Sequence, residues 1–187
     1  MHRVAEERRS SGHRPFIVPL GASTPTGALG LARGVAELAG ASLRPDVIVH
    51  SSSSAGTQAG LLAGCALFGL RPRIIGVSAD ESAPALSAMV RRLIDGMADR
   101  LGAKAETLLG DRDVEVDAGQ IGPGYGIETD ASIEATSLVA RREGILLDPV
   151  YTAKAMAGLI ALVRAGAFAP ADTVLFWHTG GIPGFFV

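Results

Sequence analysis

Cysteine occurs once in this sequence, at Cys65, and lysine twice, at Lys104 and Lys154. The single thiol excludes an internal disulfide and a zinc site built from several cysteines. Two amines limit any mechanism that needs one. Charge of one sign is scarce as well: the formal net charge is −2, so no basic surplus is available for nucleic acid or an anionic membrane surface. Long hydrophobic runs are also missing. The chain has 187 residues, 48% of them hydrophobic, and a mean hydropathy of +0.31. Yet Gly, Pro, Ser or a charge breaks every apolar run within about ten residues, short of the ~20 that span a bilayer. The opening Met1-His2-Arg3-Val4 is too polar for a secretory signal, which makes the cytoplasm the expected compartment.

The apolar residues that are present follow two alternating patterns. Phe16 to Leu20, Asp46 to His50, Arg73 to Ser78, Val114 to Val116 and Thr173 to His178 read as strands. Between them lie helical stretches at about Gly27 to Leu38, Gln58 to Phe68, Leu86 to Leu101, Asp130 to Arg142, and around Met156, Leu159, Ile160 and Val163. The apolar positions of the Leu86 helix recur three and four residues apart. Asp130 is placed to cap its helix, and Gly144 and Gly166 stand just past two helix ends. Strand and helix in alternation predict βαβ units, and so an α/β fold with a mostly parallel sheet flanked by helices. Such sheets bind ligands beyond the carboxyl ends of their strands.

Two loops of small residues occupy that location. Ser51 to Gly60 runs into a helix start, where backbone N–H groups, hydroxyls and the helix dipole suit a phosphate. The loop has no Gly-Lys-Ser/Thr and no GxGxxG precedes it, so by itself it reads either as a phosphate cradle or as a serine-rich capping loop. His178-Thr179-Gly180-Gly181 either touches a ligand or simply turns the chain. Gly122-Pro123-Gly124-Tyr125-Gly126-Ile127 holds its tyrosine out of the core. Leu147-Asp148-Pro149-Val150-Tyr151-Thr152 reads as a structural turn with Tyr151 at a helix start. Cys65 is expected as a small core residue. His50 and His178 end strands without the neighbours of a metal site, and no Gly-x-Ser-x-Gly elbow marks a hydrolase.

Five segments occur in one order: Arg14 to Ser23, Ser54 to Leu61, Gly124-Tyr125-Gly126-Ile127, Glu143 to Leu159, and His178-Thr179-Gly180-Gly181. In this the chain, from Arg14 to Val187, resembles the family of D-cysteine desulfhydrase and 1-aminocyclopropane-1-carboxylate deaminase. These are fold-type II pyridoxal-phosphate enzymes related to the tryptophan synthase β subunit. The resemblance implies that Ser54, Ala55, Gly56 and Thr57 hold the phosphate of pyridoxal 5′-phosphate. It implies that Thr179 bonds the pyridine nitrogen and that Tyr125 and Tyr151 are the catalytic tyrosines beside the substrate. Thr152 and Thr179 match the desulfhydrase branch, where the deaminase has Glu and Leu. L-Cysteate sulfo-lyases share much of the pattern.

The chain departs from the family at Ser53 and Ala55, where glycine is frequent, at Glu128 in place of proline, and at Thr24 in place of asparagine. The largest departure is the Schiff-base lysine, whose Gly-Gly-Asn-Lys type motif has no counterpart here. Neither Lys104 nor Lys154 stands at that position. The resemblance therefore implies a C-terminal portion, with residues 1–13 the remnant of a truncated helix and 14–187 mainly the large domain. Such a chain is expected to be inactive alone. It would associate with itself or with a complementing N-terminal portion, and take a small amino-acid substrate, with no part for nucleic acid or membrane. The non-enzymatic alternative is a phosphate-ligand binding module or partner subunit.

Overall fold

The computed structural model describes residues 1–41 and 43–181. Among the described residues seven α-helices and four strands follow one another: α1 His2–Ser10, α2 Pro25–Gly40, β1 Val47–Ser52, α3 Gly56–Leu67, β2 Arg73–Ser78, α4 Ala83–Leu101, α5 Ala105–Leu109, β3 Glu115–Asp117, α6 Asp130–Glu143, α7 Thr152–Arg164 and β4 Val174–Trp177. The strands form one sheet in the order β3-β2-β1-β4, and every pairing is parallel. This is the α/β architecture that the alternating pattern predicts. No helix among the described residues is long and apolar enough to cross a membrane.

The sheet is covered on both faces, which explains the nearly continuous apolar runs of its central strands. All six residues of β1 are buried. Ile48 and Ile74 face a core shared with α2 to α5, built around Val35, Leu61, Leu86, Ile94 and Met97. Val49, Ile75 and Val77 face the other way, onto Ala155 and Leu159 of α7. α3 crosses α2 at very short range. A Cβ on Gly60 would sit 2.5 Å from the Ala28 carbonyl oxygen and 2.4 Å from Leu31 Cβ, so only glycine permits the approach.

Helix ends explain most differences from the sequence reading. α6 is capped by Thr129, not Asp130. Thr129 Oγ1 accepts the Ser132 amide at 3.1 Å, while Ser132 Oγ accepts the Thr129 amide at 2.9 Å, a reciprocal box that leaves Asp130 inside the first turn. α2 begins two residues before Gly27, because Thr24 accepts the Gly27 amide and Pro25 fits the first turn. The short α5 went unseen in the sequence, as five residues are too few to show a period.

One strand is corrected. Phe16 to Leu20 pairs with nothing among the described residues and ends in a 3-10 turn at Leu20–Ala22. Pro19 removes a ladder donor from this run, and Pro15 removes another just before it. Phe16 is 89% exposed and Leu20 77%, so its apolar composition does not reflect burial in this chain.

Candidate functional site

Parallel order sends the carboxyl ends of β1, β2 and β4 to one edge of the sheet. β1 runs into the serine loop, β2 into Ala79-Asp80, and β4 into His178-Thr179-Gly180-Gly181. Between them lies a cleft of about 300 Å³ lined by Leu20, Gly21, the run from Ser51 to Thr57, Tyr151 and Thr179. The structure thus brings together Ser54, Ala55, Gly56, Thr57, Tyr151 and Thr179 from three distant parts of the chain.

The serine loop is shaped by two features. Ala55 is left-handed, with φ 69°, although it carries a side chain and is buried. Gly56 then packs on Ser23, where a Cβ would lie 2.7 Å from the hydroxyl oxygen. Ser23 donates to Ser54 Oγ at 2.7 Å, which leaves the Ser54 hydroxyl proton free. α3 starts at Gly56 without any side-chain cap, so its first amides have no side-chain acceptor. Uncapped amides, free hydroxyls and a helix N-terminus in a cleft fit an anionic phosphate.

Tyr151 and Tyr125 meet at this site. Their hydroxyls are hydrogen-bonded to each other, and the rings stack edge to face with centroids 5.9 Å apart. Burial, then the bond to Tyr125, pushes the Tyr151 phenol above its ordinary pKa; the charges of Asp80 and Asp148 add to the shift. Tyr151 therefore holds its proton at neutral pH and is suited to donate, not to abstract. Tyr125 does not line the cleft and reaches it through Tyr151.

Asp148 and Lys154 fix the tyrosines. Asp148 accepts the amides of Val150, Tyr151 and Thr152 at 2.8–3.0 Å and the Thr152 hydroxyl at 2.6 Å. Lys154 is 1% exposed and gives its three N–H donors to the carbonyls of Ala79 at 3.4 Å, Ile121 at 2.7 Å and Gly124 at 3.0 Å. It ties the Tyr125 loop to α7 and the end of β2. Neither Lys154 nor Lys104 lines the cleft.

The remaining candidates fall outside the site. Cys65 is buried in α3, and burial raises its thiol to about 11 despite Arg112 nearby, which removes it as a nucleophile at neutral pH. His50 is fully buried within β1, its Nδ1 at 2.8 Å from the Ser51 carbonyl. One residue beside the cleft carried no expectation of its own. Asp80 follows β2, where the carboxyl-end rule would have found it. Ser53 departs from the family pattern and lines the cleft.

A family model described as "Pyridoxal-phosphate dependent enzyme" matches residues 1–180. The chain belongs to this family. Its cofactor is pyridoxal 5′-phosphate, and the cradle, with its uncapped amides and free Ser54 hydroxyl, fits the phosphate end of it. A solved structure titled "Crystal Structure Analysis of the ACC deaminase homologue" is 34% identical over 98% of this chain, with a TM-score of 0.86. The match includes 54% of that protein, so the present chain spans about half its length. The fold is therefore that of the fold-type II pyridoxal-phosphate enzymes. The segment 182–187, which the resemblance also includes, lies outside the described residues.

Proposed function

We infer that this chain forms the phosphate- and ring-holding half of a pyridoxal-phosphate-dependent lyase of the D-cysteine desulfhydrase type, working in the cytoplasm. The observation that carries this reading is the single cleft that joins the uncapped start of α3 to Thr179 and Tyr151. Ser54, Ala55, Gly56 and Thr57 hold the phosphate. Thr179 offers the ring nitrogen a neutral hydroxyl. Tyr151, kept protonated and backed by Tyr125, holds a proton beside the substrate. Bound cofactor supplies the electron sink that stabilises negative charge at the substrate Cα. In the complete reaction the α-proton leaves and the C–S bond breaks, with sulfide departing on the electron pair. Water then converts the aminoacrylate to pyruvate and ammonia.

No amine among the described residues lines the cleft, so in this reading the base at Cα comes from a complementing portion and the chain alone is inactive. The likeness to the ACC deaminase homologue supports a second reading, deamination of 1-aminocyclopropane-1-carboxylate. Co-expression with the front portion of a related desulfhydrase decides between them. Sulfide from D-cysteine supports the first reading. Release of 2-oxobutanoate from the cyclopropane substrate supports the second. Neither product, from a complex that forms and binds cofactor, supports a non-enzymatic phosphate-ligand module.

A further inference from the structure

The serines of the cleft do not present the same chemistry. Ser53 Oγ donates to Asp80 Oδ2 at 3.0 Å. A carboxylate only accepts, so the single proton of the Ser53 hydroxyl is spent on Asp80, and its oxygen can offer the cleft nothing but lone pairs. Ser54, which accepts from Ser23, keeps its proton free. Adjacent residues of one loop, with Cα atoms ~3.8 Å apart, therefore face a ligand with opposite polarity.

Asp80 has capacity to spare. Its Oδ1 is buried and has no hydrogen-bond partner among the described residues. Lys154, the cation whose field it shares, directs its N–H groups to the carbonyls of Ala79, Ile121 and Gly124. The negative charge is thus offset only at a distance. A dianionic group would be repelled beside Ser53, whereas a cation there would gain a charge-assisted hydrogen bond.

We propose that Ser53 and Asp80 form an acceptor subsite next to the phosphate cradle, so that the cleft selects zwitterions carrying a phosphate and, a few ångströms away, a protonated amine. Ser53 touches the ligand; Asp80 is a positioning residue that fixes the direction of its hydroxyl. The inference rests on the phosphate reading of Ser54 to Thr57.

The test is calorimetric titration of the whole chain with 2-aminoethyl phosphate and with ethyl phosphate, which differ by the amine. The unaltered chain is expected to bind the aminoethyl ester about five-fold more tightly, as one partly solvated charge-assisted bond gives. Ser53→Ala and Asp80→Asn should each abolish the preference, and Asp80→Asn should tighten ethyl phosphate. Equal affinity for the two esters, or a preference that survives in both variants, overturns the subsite. Thr57→Val separates the underlying reading: it should weaken both esters alike. Unchanged affinity for both esters in Thr57→Val, with the amine preference intact, keeps the subsite and overturns the cradle, and binding of neither ester overturns both.

Discussion

The Asp148 carboxylate holds the Tyr151 amide at 2.8 Å and stands against the backbone of Gly181, where a Cβ would lie 2.2 Å from Oδ1. One aspartate thus orders the start of α7 and seats the loop that carries Thr179. Gly181 adopts φ +110°, open to glycine alone, so both conformation and space exclude a side chain there. Asp148→Ala removes the acceptor of four hydrogen bonds from a buried site. It should cost about 2–4 kcal/mol in urea unfolding, and Gly181→Ala a similar amount. Loss below about 0.5 kcal/mol in both would show that the turn is held by other contacts.

Much of this arrangement was legible before the structure. The four strands of the sheet and five of its helices follow from periodicity, since buried strands and amphipathic helices leave opposite patterns. The run Phe16 to Leu20 misled because apolar composition alone does not say whether a neighbour strand exists. The cleft was legible as two loops at strand ends, but their convergence depends on the strand order β2-β1-β4, which no local pattern encodes. Asp80 and the tethering role of Lys154 were hidden for the same reason, since their partners lie at Ser53, 27 positions away in sequence, and at Ile121, 33 positions away.

Ala55 is a second place where the chain works against local preference. Its left-handed backbone costs an alanine roughly 1–2 kcal/mol, while glycine there would lose about 0.5–1 kcal/mol to greater freedom in the unfolded state. Ala55→Gly should therefore stabilise the protein by about 0.5–1 kcal/mol, read as a raised midpoint in thermal or urea unfolding. A lowered midpoint would mean that the Ala55 methyl, buried under the loop, contributes more than the strain costs.

Lys154 should matter to the tyrosine pair as well as to stability. Burial lowers its pKa from the ordinary lysine value, while the Asp80 charge raises it again. Lys154→Met leaves the Ala79, Ile121 and Gly124 carbonyls without this donor. The expected loss is about 2–4 kcal/mol. The pair itself reports through the phenol titration: Tyr151 should ionise at lower pH once Tyr125 is released. An unchanged ultraviolet tyrosine titration in Lys154→Met would show that Tyr125 keeps its place without the lysine.

Acid stability should depend on His50. Burial lowers its pKa from 6.5 to about 4, offset in part by the Ser51 carbonyl. The folded state therefore refuses a proton that the unfolded state accepts. Stability from the neutral ring is complete above pH 6.5 and falls as pH drops towards 4. Over that window the loss approaches about 3 kcal/mol, at roughly 1.4 kcal/mol per unit. Unfolding free energies of the unaltered chain and of His50→Leu, measured from pH 7 to pH 4, should diverge in slope by nearly one proton. Parallel curves would exclude His50 as the titrating group.

Association is the last expectation, and it starts from the segment that fails to become a strand. Phe16 is 89% exposed, Val18 57% and Leu20 77%, three large apolar side chains within five residues of one another. The strand β4 pairs only with β1 among the described residues, which leaves its other edge open. Uncovered apolar surface costs about 25 cal/mol per Å², so covering even 200 Å² of it would return roughly 5 kcal/mol, comparable with the whole stability of a small domain. An open strand edge adds unpaired amides and carbonyls that recruit other chains. The isolated chain should sediment as dimers or larger species at micromolar concentration. The double substitution Phe16→Glu with Val18→Glu should shift it towards monomer without lowering its unfolding midpoint, because neither side chain is part of the core. A compact monomer in the unaltered chain at the same concentration would show that this surface is stable in water as it stands.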